Sequence, residues 1–246
     1  MSRHVTRMTI EDAEHFTPEE RKIIIASYPV HERDARSKGI PILGSGRIFP
    51  IEQEIIQIDA IDIPAYWPEI GGLDFGWDHP TAGVKLAWDR DNDIVYVTAA
   101  YKQKENTPVI HAAAMKPWGR DLLWAWPHDG YQHDKGSGKA LASQYQEQGL
   151  NMLPEHATFE DGGFGVEAGL MDMYDRMRTG RLKVFKHLLD WFSEFLLYHR
   201  KDGRVVKEFD DLMAATRYGI MMLRFARVLD ESEIDIEPMA EGSWMG

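Results

Sequence analysis

The 246-residue sequence has no cysteine. That excludes a disulfide framework, thiolate metal sites and thiol catalysis, so any metal must be held by carboxylate, imidazole or carbonyl groups. Long apolar runs are missing as well. None approaches the ~20 residues that span a bilayer, and the opening MSRHVTRMTIEDAEHF lacks the apolar stretch of a secretory signal. The expectation is a soluble intracellular protein with no membrane partner. Positive charge is scarce, with 28 Lys and Arg against 40 Asp and Glu and a formal net charge of −12. This argues against a non-specific nucleic-acid binder, because phosphate contacts depend on Lys and Arg. An enzyme acting on a polyanion stays compatible, since bound divalent ions reverse the local sign of an acidic site. Internal repeats and low-complexity tracts are absent too. What is present is ample core material: 43% hydrophobic residues with eight tryptophans, enough for one sizeable core with an extension.

Patterning divides the chain into an N-terminal arm (1–68), an α/β core (69–229) and an acidic tail (230–246). In the arm, Thr17 with Glu20 three residues on, and Pro18 at the first helical position, predict a capped helix start. GIPILGSGRIFP is turn-rich and IIQIDAIDIP is a short strand candidate. Ile40, Ile42, Ile48 and Phe49 would pack this arm on the core. Three apolar segments follow closely, IGGLDFG, TAGVKLAWD and DIVYVTAAY, with WDHP and RDND as turns, which predicts an antiparallel meander. TPVIHAAAMKPWG reads as a helix, LLWAWPHD as a buried strand, ALASQYQEQG as a helix closed by Gly149, and NMLPEHATF as a candidate fifth strand. GVEAGLMDMYDRMRTG, LDWFSEFLLYHR and a long DDLMAATRYGIMMLRFARVL read as helices, with RLKVF a short strand or turn. The tail DESEIDIEPMAEGSWMG is acidic and unpatterned, as expected of a disordered segment. This order predicts an α/β fold with a mixed sheet and helices on both faces.

Asp74 interrupts the apolar stretch GGLDFG. Strand alternation puts it on the face opposite Leu73 and Phe75, beside glycines that clear space for a phosphate or for a neighbouring backbone. A hydrogen-bonded aspartate ending an exposed strand is the plainer alternative. Asp129 ends LLWAWPHDG, and strand ends are where open α/β sheets place their chemistry; an ordinary Asp-Gly turn is the rival reading. Asp210 and Asp211 open the last helix, where capping and the helix dipole explain one of them but not both. Helical spacing puts Asp211 on the sheet-facing side with Ala215, Tyr218 and Met222. Asp210 falls nearer Ala214 and Arg217, as a cap or a supporting residue. Ala214, Ala215, Thr216 and Gly219 are small enough to let this end of the helix approach the sheet. Oxygen ligands without cysteine select Mg2+ or Mn2+ over zinc, and two such ions can activate water and stabilise a leaving oxygen in phosphodiester cleavage.

Other features are weaker. The loop YQHDKGSGKA carries His133, Lys135 and Lys139, which could reach a phosphate backbone. It is not a nucleotide-binding P-loop, because His133 stands where the first glycine is required and Ala140 where a hydroxyl would meet magnesium. DRMRTGRLKVFK concentrates Arg176, Arg178, Arg181, Lys183 and Lys186, either for a DNA-backbone contact or as a solvated helix end. His128 and His133, near Asp129, are either proton relays or loop residues. Trp118, Trp124, Trp126 and Trp191, and Met213, Met221 and Met222, are expected in the core.

HERDARSKGIPILGSGRIFPI in the arm, GGLDFGWDHPTAG, WPHDG with DKGSGK, and FDDLMAATRYGIMMLRFA together resemble the nuclease domain of the large terminase subunit of tailed bacteriophages, an RNase H-like fold. The resemblance covers nearly the whole chain apart from the tail. It implies a metal-dependent endonuclease that cuts concatemeric viral DNA by two-metal hydrolysis with little sequence specificity. Carried over by position, it implies Asp74, Asp129 and Asp211 as catalytic metal ligands with Asp210 adjacent. Many relatives have a further aspartate where this chain has Ala214. Glu160, Asp161 and Glu167 are alternative ligands, although the first two suit a turn and the third a helix start. Implied partners are double-stranded DNA, an ATPase motor domain that this chain lacks, the portal and the small terminase subunit, in the host cytoplasm. Two rival readings are a resolvase- or ribonuclease H-like enzyme, and a docking module for portal or motor whose nuclease is latent.

Overall fold

The computed structural model describes residues 9–13, 15–27, 37, 46–133 and 138–229. Ile40, Ile42, Lys135 and the tail from Asp230 onward lie outside the described residues. The Thr17 box forms as its spacing predicts. Helix α1 spans Pro18–Ser27, the Glu20 N–H donates to Thr17 Oγ1 at 3.2 Å, and the Thr17 N–H donates to the Glu20 carboxylate at 2.8 Å. A single helical turn, α2 (Gln53–Ile56), leads into the short strand β1 (Gln57–Ile58). Phe49, Ile51 and Ile56 are buried in the same core as the residues that follow, and Phe49 stacks on Phe195 with ring centroids 6.1 Å apart.

The three apolar segments form the meander their short connections require: β2 (Glu69–Asp74), β3 (Thr81–Asp89) and β4 (Ile94–Gln103). Their register sets Asp74 opposite Ala82, and Ala82 opposite Lys102. Then come α3 (Pro108–Met115), β5 (Leu123–Ala125), α4 (Leu141–Glu147), β6 (Asn151–Met152), α5 (Val166–Arg178), β7 (Leu182–Phe185) and α6 (Leu189–Leu197). A small hairpin, β8 (Arg200–Lys201) and β9 (Arg204–Val205), precedes the last helix, α7 (Asp211–Met221). The main sheet runs β1-β7-β4-β3-β2-β5-β6, and β3 is its one antiparallel member. Helix α7 lies over β2 and β3 with α5 and α6 beside it, while Met115 of α3 covers the other face near Gly83 and Trp124. This is the mixed sheet with helices on both faces that the element order predicts.

Two local expectations are corrected, and one element was not expected. The strand before Asp129 covers only Leu123–Ala125, and the chain then enters a 3-10 turn at His128–Tyr131, so Asp129 sits beyond the strand rather than ending it. Pro127 has no N–H to continue a ladder. The last helix stops at Met221 instead of running to residue 229. Its continuation turns back, and Arg227 exchanges backbone hydrogen bonds with Glu69 at 2.8 and 3.2 Å. The β8–β9 hairpin is absent from the sequence reading although its Asp202-Gly203 turn, with φ of 50° and 75°, is the strongest short hairpin signal.

The basic segment at the end of α5 serves the fold. Arg181 pairs with Asp93 at 2.7 Å and Asp175 at 2.5 Å, Arg176 pairs with Asp93 at 3.2 Å and Asp172 at 3.3 Å, and Arg178 with Asp175 at 2.9 Å. Lys183 donates to the Ile55 carbonyl at 2.9 Å. Through Asp93, Arg176 and Arg181 fasten the end of α5 and the start of β7 to the β3–β4 turn. Because Leu182 lies opposite Val95 at the beginning of β4, they stand at the end of the sheet away from Asp74.

What fixes the distance between α7 and the sheet is the absence of side chains. A Cβ on Gly72 would lie 2.0 Å from the Ala215 carbonyl oxygen and 3.0 Å from the Gly219 nitrogen. On the other face, a Cβ on Gly71 would lie 2.5 Å from the Trp124 ring. The glycines before Asp74 therefore make room for a helix backbone and an indole, not for a phosphate. Replacing Gly72 by alanine forces α7 off the strand. We expect Gly72→Ala to destabilise the fold by about 1–3 kcal/mol or more, read as a lower denaturant midpoint; a midpoint equal to the parent's would show that the helix is not held this close.

Candidate active site

All strands of the main sheet except β3 end at one edge, and α7 begins there. That edge gathers the aspartates. Asp74 is the last residue of β2 and shares its face with Gly72, towards α7. Asp211 is the first residue of α7 and is buried, with Asp210 half-buried just before it. Asp129 approaches from the turn after β5 and is exposed at the rim. The chain reaches Asp210 through Phe209, whose φ of 58° is unusual for a bulky side chain and reverses the backbone just before the helix.

The electrostatics of the four groups are coupled. Burial pushes Asp74 well above the ordinary carboxylate value of 3.8, the charges of Asp129, Asp211 and Asp210 push it further, and Arg217 opposes them. Burial also raises Asp129, against its own and Gly130's N–H groups, His128 and Lys207. Asp210 is raised by burial and by Asp211, with Lys207 and His79 opposing. Tyr218, two helical turns along α7 from Asp211, is pushed up to about 12 by burial and by Asp74.

Two residues at the site were not singled out from sequence. Lys102, near the end of β4, lies in the same cross-strand row as Asp74, two strands or ~10 Å away. Its ammonium pairs with Asp211 at 2.9 Å and with Glu194 of α6. Glu194, 2% exposed, also accepts the backbone N–H groups of Leu212 at 2.7 Å and Met213 at 3.3 Å. It therefore caps α7 from a neighbouring helix, and the Asp210 side chain makes no capping hydrogen bond. Burial opposes the charge on Lys102, yet hydrogen bonds and attraction from Glu194 and Asp211 hold its pKa above the ordinary lysine value. Burial raises Glu194 to about 7, with Asp211 adding to the shift and Lys102 opposing it. Glu194 had a legible signal, since it stands three residues after the buried Trp191, on the same face of its helix. Lys102 had none without the strand register.

The remaining candidates lie elsewhere or in supporting roles. Glu167 pairs with Arg200 at 2.5 Å, tying α5 to the β8–β9 hairpin. Asp161 accepts the Gly163 N–H at 2.8 Å in a turn. Lys139 pairs with Glu147 at 2.6 Å. His128 stacks on Phe164 with ring centroids 5.8 Å apart, and Trp124, Trp126 and Trp191 are core. Exposed Lys207 acts on both Asp129 and Asp210. The donor set is oxygen, it converges, and its mutual repulsion calls for cations, so it suits hard divalent ions. Among the described residues no three carboxylate or imidazole groups are drawn tightly enough to enclose an ion as they stand.

Comparison with known proteins gives one family. The model described as Terminase RNaseH-like domain matches residues 71–223, and one described as Terminase large subunit, T4likevirus-type, N-terminal, matches residues 2–56. The large terminase subunit of Salmonella phage P22 is 50% identical over 229 residues, covering 93% of this chain and 46% of the relative. The chain thus spans less than half the length of that relative. The solved nuclease domain of the P22 large terminase superposes with a TM-score of 0.71 at 48% identity, over 75% of this chain and 96% of that one. The nuclease domain of the large terminase g2p from bacteriophage SPP1, solved with bound Mn, shares the fold with a TM-score of 0.51 at 18% identity, over 68% of this chain and 94% of that one.

The raised Asp74 has a consequence for stability. Its folded pKa exceeds its unfolded one, so the folded protein loses stability as pH rises from about 4 through the folded pKa. Asp74→Asn, which cannot ionise, is expected to melt higher than the parent in EDTA, with a gap that widens from pH 5 to pH 8. Equal melting temperatures at pH 8 would mean that the carboxylate is not electrostatically strained.

Proposed function

Because the chain belongs to the terminase RNase H-like nuclease family, we propose that it is the metal-dependent endonuclease unit of a DNA-packaging terminase large subunit, cutting concatemeric viral DNA. The observation that carries this reading is the convergence of Asp74, Asp129, Asp210 and Asp211 at one edge of the sheet, in a chain 48% identical to the P22 nuclease domain. In this reading the nuclease unit is 69–229, residues 1–68 form an arm that packs on it, and 230–246 is an acidic tail. Its partners in the full protein are double-stranded DNA, an ATPase motor domain, the portal and the small terminase subunit, in the host cytoplasm.

Asp74, Asp129 and Asp211 would hold two Mg2+ or Mn2+ ions, with Asp210 in support. When bound, these ions supply activation of the attacking water and neutralisation of charge at the scissile phosphate. The bound Mn of the SPP1 domain belongs to a protein that shares only the fold, so the metal reading here rests on this chain's own carboxylates. Asp74 is fixed by the sheet and Asp211 by the helix, which gives two rigid walls. Asp129 sits on a turn and can adjust to substrate. Exposed Lys207, His79 and His128 flank the rim and would meet DNA phosphates, whereas Arg176, Arg178, Arg181 and Lys183 are at the far end and engaged in the fold. No helix presents base-reading side chains in a pattern that the sequence discloses, so little sequence preference is expected.

Incubating the protein with supercoiled plasmid in Mg2+, Mn2+ or EDTA tests the reading. Cutting should require metal, and Asp74→Ala, Asp129→Ala and Asp211→Ala should each lower it more than about 100-fold, beyond what loss of an outer partner of a metal ligand costs. Asp74→Ala cutting at the parental rate would remove the assignment. Failure of the folded, metal-loaded parent to cut plasmid, junction or hybrid would favour a docking module instead.

A further inference from the structure

The Lys102 ammonium stands between two carboxylates that have different duties. Glu194 is buried and already accepts two backbone N–H groups from the first turn of α7. Asp211 is the first residue of that helix and one of the residues assigned to metal. Lys102 contacts both, and its side chain keeps only 20% exposure against 3% for Glu194 and 8% for Asp211. An ion at Asp211 must therefore contend with a cation that the chain itself supplies. An ammonium and a divalent ion cannot share one small carboxylate without strong repulsion in a poorly solvated site.

From this geometry we propose that Lys102 is a built-in competitor for the Asp211 metal position, and that loading that position requires Lys102 to pass entirely to Glu194. The inference rests on the metal-nuclease reading and adds a regulating residue to it. The exchange breaks one ion pair and keeps the other, so it needs only a side-chain movement, with no change in backbone. It makes the strength of the Lys102–Glu194 pair a control on metal affinity. A purely structural ion pair would stabilise the fold without setting how tightly the site takes metal.

Lys102 and its buried partner Glu194 predict opposite responses. Lys102→Met removes the competitor, and the 246-residue protein carrying it is expected to bind Mn2+ about tenfold or more tightly by titration calorimetry, on the scale of outer-partner effects on metal sites. It should also melt lower in EDTA, because Asp211 and Glu194 are left without a counter-ion. Glu194→Gln still accepts the Leu212 N–H but no longer draws Lys102 away, so it should bind Mn2+ more weakly than the parent. In an Asp211→Asn background, Lys102→Met should leave Mn2+ affinity unchanged. If Lys102→Met does not fold, Lys102→Gln serves in its place. Parental Mn2+ affinity in a folded Lys102 variant, or undiminished affinity in Glu194→Gln, overturns the proposal while leaving the nuclease reading intact. Absence of Mn2+ binding by the parent and every variant would overturn both.

Discussion

The close approach of α7 to β2 is the constraint on which the rest of the structure depends. Gly72 offers the helix no side chain, Ala215 and Gly219 answer from the helix, and a Cβ on Gly219 would already meet Leu86 at 2.6 Å. A longer separation would still leave an α/β sheet with a covering helix. It would not bring the first residue of that helix beside the last residue of the strand, which is what gathers Asp211, Asp210 and Asp74. Small residues at this crossing thus act on chemistry through packing alone.

That packing concentrates negative charge, and the molecule leaves much of it uncompensated. Asp74, Asp129 and Asp210 are all held above the ordinary carboxylate range, while Glu194 and Lys102 manage the helix end. At the opposite end of the sheet acids are met by arginines, as in the Arg176, Arg181, Asp93 and Asp175 network. The contrast is informative. A fold that satisfies one set of acids with arginines leaves another set only partly compensated, by Arg217 and Lys102, at a cost to stability that fits a site built for cations.

Much of this was legible in sequence because it follows local rules. The meander came from short turns between apolar runs, the capped start of α1 from Thr17 and Glu20, and the sheet-facing side of α7 from helical spacing. The mixed α/β sheet followed from those elements, and the family from the resemblance of the motifs that carry the aspartates. Legibility ended where an interaction depends on tertiary register. Lys102 reads as an ordinary strand lysine until β4 is laid against β3, and the capping of α7 by Glu194 joins two helices that no pattern links. Within the basic run from Arg176 to Lys183, the pairing of Arg176 and Arg181 with Asp93 was hidden for the same reason, since Asp93 lies in a distant turn. The glycines beside Asp74 left space for either a phosphate or a neighbouring backbone, and a glycine does not disclose which neighbour it admits.

The central claim is that these four aspartates form one site for divalent ions. Anomalous diffraction from crystals of the protein grown with Mn2+ tests it most directly. The account expects manganese peaks contacted by Asp74 and by Asp211 or Asp129 at the edge of the sheet, at distances of roughly 2.0–2.6 Å for oxygen ligands of hard divalent cations. Manganese bound only elsewhere, with Lys102 still against Asp211, would contradict it.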